Sequence, residues 1–365
     1  MWKGICSLSR AEQSRAEQSR AEQSRAEQSN RIEWIDIAKG IAIICVILGH
    51  LGIFKINRVV FVFHMPLFFV LSGYFLSRRA SFIDFCKNKA KTLLIPYTTT
   101  CVLTCLLSIV NAIYLNENIS NTVWKWFAGS LYGAGFYPKD IMIQIPVFIG
   151  ALWFLWALFW GLIITRRIID QLDKRYHLLS ICIIAWIGYQ TSWSIWLPLD
   201  IQAGMTASLF LYIGYYTKIN NLLTDKVRFE LLFLSVFIVG WCIKCFKGFW
   251  MVSNSFGNGL MDIIGALAAI YLLRYFCDYI SHSGKFSSLL RWYGSNSIVI
   301  LCFHILELNL FPWQLVFKGF PYRMLIIIFL KLLFVTLCTM VVNKSPVLHF
   351  LFKGKAMKKG RFGTL

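Results

Sequence analysis

No pair of cysteines in this sequence stands at metal-ligand spacing with histidines beside it, although there are eleven cysteines. Cys101 and Cys105 lie one helical turn apart, and Cys242 and Cys245 flank a lysine, in neither case with accompanying histidines. Most of the rest, Cys45, Cys182, Cys302 and Cys338 among them, fall inside apolar runs, where a cysteine behaves as a small hydrophobe. A zinc or disulfide framework is therefore excluded. Acidic residues are scarce as well, 17 against 37 lysines and arginines, for a net charge of +20. In a soluble protein that balance would point to nucleic acid. Here the basic residues gather in alternate loops between apolar runs, which points to membrane topology and away from nucleic acid. A short apolar region with a small-residue cleavage site is also lacking ahead of the first apolar run, so no cleaved leader is expected. Nor is an appended soluble domain expected after the last one.

What the chain has in abundance is hydrophobicity. Its 365 residues are 58% hydrophobic, with a mean hydropathy of +0.62, and the apolar residues come in runs of about twenty, the length that crosses a hydrocarbon layer of about 30 Å. About ten such runs are present, near 34–54, 59–77, 92–114, 148–165, 178–193, 203–217, 229–246, 257–273, 295–312 and 324–342. The loop from Arg78 to Lys91 and the loop holding Arg166, Arg167, Lys174 and Arg175 are rich in basic residues, as are the loops carrying Lys218, Lys226 and Arg228, then Arg274, Lys285 and Arg291. The expectation is an all-α, polytopic membrane protein with about ten transmembrane helices and both termini cytoplasmic. Three regions follow: a tail over 1–30, a membrane domain over 31–345, and a basic cytoplasmic tail over 346–365.

The N-terminal tail is of low complexity, residues 10–30 repeating Ala-Glu-Gln-Ser-Arg in tandem. As protein it is polar, with no core to bury. The genetic code adds a second constraint: the DNA pentamer GCAGA in tandem encodes this same pentapeptide in every reading frame. The tract is read as a simple-sequence DNA repeat prone to slippage, the basis of phase variation in bacterial genes whose products alter the cell surface.

Chemistry concentrates in the first run, Ile35-Asp36-Ile37-Ala38-Lys39 to Leu48-Gly49-His50. Ionisable groups inside a span are costly and tend to mark function. Eleven steps of about 100° return His50 to within about 20° of Lys39, on one helix face and roughly 16 Å away along the axis. That suits a long ligand with one anionic and one reactive end. Asp36 stands one turn before Lys39 and can hold its ammonium. The bland alternative is a snorkelling lysine and a histidine hydrogen-bonded to a neighbouring helix.

Further motifs follow. Phe63-His64-Met65-Pro66-Leu67-Phe68-Phe69-Val70-Leu71-Ser72-Gly73-Tyr74-Phe75, together with the Lys-x10-His segment, closely resembles the integral-membrane acyltransferase family (type three), in particular its fucose-4-O-acetylase-like branch. Leu93-Leu94-Ile95-Pro96-Tyr97, Leu152-Trp153-Phe154-Leu155, and Gly294-Ser295-Asn296-Ser297 followed by His304 match later elements in order, so the resemblance covers roughly 31–342. It implies O-acetyl transfer from acetyl-coenzyme A in the cytoplasm to a carbohydrate hydroxyl, in lipopolysaccharide, capsule or another envelope glycan, at the bacterial inner membrane. Acetyl-coenzyme A is then a co-substrate, and no tightly bound cofactor or metal is expected. The family's basic residue and histidine map onto Lys39 and His50. Where the family often has arginines, here stand Lys39 and then Lys87, Lys89 and Lys91, which bind phosphate as point charges without the bidentate fork.

On this reading the phosphate-rich head lies against Lys39, whose ammonium Asp36 holds, and the lysine cluster, and the thioester reaches His50. The imidazole either takes the proton from the attacking hydroxyl or attacks the thioester itself. His64, Trp153, His304 and Glu307 are candidates for the acceptor site. For His64 an interfacial position at the start of a span competes. For His304 and Glu307, one turn apart, a structural hydrogen bond competes, and two such groups make a thin metal site. Ser72 and Gly73 read as close helix packing. Asp262 and Lys331 read as partners of each other or as cavity lining. Trp124, Trp126, Tyr132, Phe136, Tyr137 and Asp140, and also Trp193, Trp196 and Asp200, suit either a sugar ring or an interfacial belt. A transporter or flippase of a lipid-linked sugar is the alternative function, although no internal repeat supports it. A non-catalytic scaffold leaves the Lys-x10-His arrangement unexplained.

Overall fold

The computed structural model describes residues 33–136, 146–222, 228–281 and 283–357. The repeat tail, Tyr137, Asp140, Lys226 and the end of the basic C-terminus lie outside the described residues. In chain order the helices are α1 (Glu33–Gly49), α2 (Phe54–Val60), α3 (His64–Tyr74), α4 (Phe82–Tyr114), α5 (Ile119–Tyr132), α6 (Trp153–Gln171), α7 (Lys174–Thr191) and α8 (Ile201–Ile219). Then come α9 (Phe229–Lys244), α10 (Leu260–Ser281), α11 (Lys285–Ser295), α12 (Ser297–Leu310), α13 (Trp313–Val316), α14 (Arg323–Lys344) and α15 (Pro346–Lys353). One antiparallel hairpin, β1 (Phe249–Trp250) with β2 (Ser255–Phe256), interrupts the helices between α9 and α10.

Each apolar run expected from the sequence contains helix, although 59–77 is interrupted at 61–63 and 295–312 is broken at Asn296. Among the described residues, five helical segments are long and apolar enough to cross a membrane unaided, Phe54–Tyr74, Phe82–Tyr114, Gly150–Gln171, Leu260–Ser281 and Arg323–Lys344, and a sixth follows if α11 and α12 form one broken span. Helices satisfy all their backbone groups internally, the condition an apolar layer imposes. The molecule is an all-helical, multi-pass membrane protein.

The basic segment Arg78–Lys91 is not the loop the charge pattern predicts. Ser81 caps α4, accepting the Asp84 N–H at 3.1 Å, so Lys87, Lys89 and Lys91 ride on its first turns. Arg166 and Arg167 likewise belong to α6, and Arg274 to α10. Charge ends an apolar run without ending a helix, since lysine and arginine are good helix formers. Buried Arg166 fastens the turn ahead of α4: it pairs with Asp170 at 2.5 Å and donates to the carbonyls of Ser77 and, at 2.9 Å, Ala80.

α1 is apolar around most of its circumference and buried accordingly, as expected of a central helix. It meets α11 backbone to backbone. A Cβ on Gly40 would strike the Leu290 carbonyl, and one on Gly294 the Asp36 carbonyl. Glu33 and Arg291 pair across the same seam. α3 and α8 repeat the device: a Cβ on Gly73 would strike Leu211 O, and one on Gly214 would strike Val70 O. The close-packing reading of Gly73 therefore holds.

Candidate active site

Between α11 and α12 the chain bends by 75° at Asn296. Because Gly294 lies on the Asp36 carbonyl, this break is brought against the Asp36–Lys39 turn of α1. A cavity of about 790 Å³ opens there. Its walls carry Lys39 and Asp36 from α1, Lys89 and Lys91 from α4, and Lys353 and Lys355 from the end of α15. Five ammonium groups thus face one carboxylate. They are close enough to feel each other, for Lys39 and Lys355 both act electrostatically on Lys89. The Lys39 ammonium also sits 4.9 Å from the centre of the Phe75 ring. Lys87 points elsewhere and is exposed.

A second cavity, of about 750 Å³, surrounds the other end of α1. Phe61, Phe68, Trp153, Phe154 and Trp250 give it aromatic walls, and His50, His64 and Asn57 supply polar groups. The hairpin contributes Phe249 and Trp250. Ser297 and Ile298, the first residues of α12, line both cavities, so the two adjoin at the break.

His50 is the residue after the last turn of α1, and its Nδ1–H donates to the Val46 carbonyl at 2.8 Å. A carbonyl can only accept, so this bond fixes the tautomer and leaves a lone pair on Nε2. A lone pair so placed can take a proton or attack a carbonyl carbon. His64 is held the same way, its Nδ1–H on Val60 O at 2.7 Å, and its ring stands 4.8 Å from that of Phe61. It is buried and lines the cavity. Trp153 lines the same cavity.

Behind His50 lies a polar cluster on α12. Glu307 accepts from His304 Nδ1 at 2.9 Å, from Lys331 Nζ of α14 at 2.6 Å, and from the Trp313 indole. His304 and Glu307 are fully buried, and the His304 ring stands 5.0 Å from the His50 ring. The structural hydrogen bond expected between His304 and Glu307 is present, and no group of metal-ligating side chains occurs among the described residues. Lys331 pairs with Glu307 and not with Asp262, which instead accepts from Asn258 N at 2.9 Å.

Lys353 and Lys355 were not foreseen as site residues. The sequence showed them only as part of a basic end, and nothing local says that α15 returns to α4, where Gly354 meets the Lys91 carbonyl. Lys353 donates to Asn296 at 2.8 Å and to Asn343 at 2.7 Å. Trp250 carried no signal at all. Trp124 and Trp193 are largely exposed and line neither cavity.

Buried charges in a multi-pass helical protein, arranged around paired cavities, define a membrane protein with chemistry inside its bundle. The model of the acyltransferase-domain family matches residues 32–343, and the chain belongs to that type-three acyltransferase family. Among curated proteins it is similar to the nodulation protein NolL of Sinorhizobium fredii, 30% identical over 152 residues, which are 38% of this chain and 36% of that protein. It is also similar to NolL of Mesorhizobium japonicum, 30% identical over 171 residues, 43% of this chain and 39% of that one. The chain thus spans less than half the length of these relatives. No solved structure gives a significant match.

Proposed function

We propose that this protein is an O-acetyltransferase of the bacterial inner membrane, moving acetyl from acetyl-coenzyme A to a hydroxyl of an envelope carbohydrate such as lipopolysaccharide or capsule. The observation that carries the reading is the junction of a five-lysine cavity with a histidine-bearing aromatic cavity at the α11–α12 break. Lysine-rich surfaces favour the cytoplasmic side, which orients the basic cavity inward in a fold of ten spans with cytoplasmic termini.

The phosphate-bearing head of the donor binds among Lys39, Lys89, Lys91, Lys353 and Lys355, with Asp36 bracing the first. Lysines serve here as point charges for a flexible polyphosphate. The pantetheine arm runs past Ser297 and Ile298, a reach comparable with the roughly 16 Å that eleven helical residues span. The thioester then lies at His50. His50 Nε2 takes the proton of the sugar hydroxyl as its oxygen bonds to the thioester carbon. The tetrahedral intermediate collapses, the carbon–sulfur bond breaks, and the leaving thiolate takes the proton back from the imidazolium. The aromatic walls, Trp153 and Trp250 included, suit the faces of a sugar ring. Membership of an acyltransferase family favours this over transport.

The test is purified protein in lipid nanodiscs, given acetyl-labelled acetyl-coenzyme A and envelope glycan from a deletion strain. Alkali-labile label in the glycan is expected, and wild-type cells should carry O-acetyl groups that the deletion strain lacks. Equal O-acetyl content in both strains overturns the reading. Acetohydroxamate released by hydroxylamine from labelled protein freed of donor, and absent with His50→Ala, would replace proton abstraction with the covalent route.

A further inference from the structure

His304 is bound at one edge only. Its Nδ1–H is committed to Glu307, so Nε2 carries the lone pair, and that nitrogen has no protein partner although it is fully buried. Leaving a buried acceptor unpaired is costly, and a cluster serving the fold alone gains nothing from it. The cost is tolerated beside His50. The two rings are 5.0 Å apart at 73°, in edge-to-face contact. Leu301, one turn before His304 on α12, lines the cavity into which His50 projects.

Glu307 is balanced by Lys331 at 2.6 Å and further held by the Trp313 indole. The carboxylate can orient the imidazole, as in a catalytic triad, without becoming protonated itself. The bond to Val46 already fixes the tautomer of His50. What His50 still lacks is a partner for the positive charge it acquires when it takes a proton.

We propose that His304 is a positioning residue for the transfer: held by Glu307, its electron-rich edge stabilises the imidazolium that forms on His50. Glu307 and Lys331 then act through His304, and none of the three touches substrate. The site is a two-histidine unit, one histidine exposed to the reactants and one sealed behind it. The inference rests on the role given to His50 above.

Two stable variants test it, using labelled acetyl transfer to deletion-strain glycan. His304→Leu keeps the Glu307–Lys331 pair. The double variant Glu307→Gln with Lys331→Met removes both buried charges together, which spares the fold the unpaired charge that Glu307→Gln alone would leave. Both should melt close to wild type and keep the KM for acetyl-coenzyme A within about twofold. In both, kcat should fall at least about tenfold, an orienting carboxylate behind a histidine base being worth up to about 10⁴ in rate. His304→Gln, which restores an acceptor oxygen, should recover part of the loss seen in His304→Leu. Wild-type kcat in either stable variant overturns the proposal. If His50→Ala is inactive while these variants are fully active, this inference alone has failed. If His50→Ala is itself active, the underlying mechanism has failed with it.

Discussion

Replacing Lys355 by alanine should weaken the donor's grip without touching the chemistry. Lys355 is exposed at the mouth of the basic cavity, and its backbone carbonyl accepts the His349 Nδ1–H at 3.0 Å, a bond that alanine preserves. A lysine about 4 Å from a phosphate gains about 1 kcal/mol in water and about 4 kcal/mol at an effective dielectric of 20. Exposure places Lys355 toward the lower figure, and a contact of about 1 kcal/mol corresponds to roughly a fivefold rise in KM for acetyl-coenzyme A. kcat should be unchanged. With S-acetylpantetheine, which has no phosphate, the variant and wild type should coincide. In 1 M salt, where the Debye length is about 3 Å, the difference for acetyl-coenzyme A should shrink away as well. The assay is initial-rate transfer to glycan with each donor at two ionic strengths. An unchanged KM, or an equal loss with both donors, refutes the assignment of this cavity to the phosphates.

His50→Ala should reduce transfer by about 10² to 10⁴ or more with normal expression and membrane insertion, read as O-acetyl content in complemented cells; near-normal acetylation would end the mechanism. Gly294→Ala forces a methyl group into the Asp36 carbonyl, and overpacking of this kind costs about 1–3 kcal/mol, so the variant should melt earlier in detergent. A wild-type melting curve would show that the α1–α11 seam yields easily. Gain or loss of one GCAGA unit in the N-terminal tract should shift the frame ahead of Arg31 and produce mixed acetylation within a clone. Sequencing sorted colonies decides this, and mixed synonymous codons in place of a pure pentamer would count against it.

What could be read in the sequence was local. Lys39 and His50 share a face because eleven residues return a helix almost to its starting angle, and His304 meets Glu307 because three residues bring side chains together. The second survives as a hydrogen bond, while His50 lies just past the end of α1 and lines a different cavity from Lys39. The relations that cross between helices were not legible. Lys331 is 24 residues beyond Glu307, and pattern alone offered Asp262 as readily. The motif Gly294-Ser295-Asn296-Ser297 could be matched to a family, but its contact with Asp36 depends on a glycine whose value is the absence of a side chain. Basic residues were misplaced into loops because hydropathy reports where apolar surface ends, while a helix emerging into water continues as long as its backbone is satisfied.

The break at Asn296 gives those inter-helix contacts a common purpose. An unbroken helix through 285–310 would carry its backbone groups paired throughout and would set one continuous cylinder between the lysines and the histidines. Bending by 75° turns the start of α12 toward both cavities. The bend is held from outside by Lys353, which donates to Asn296 and Asn343 together. Lys353 in turn is positioned by α15, docked on α4 where Gly354 meets Lys91. The matched family region ends at residue 343, so the element that fixes the passage in this chain lies just beyond it. The basic cavity and the bend therefore share one side chain, that of Lys353.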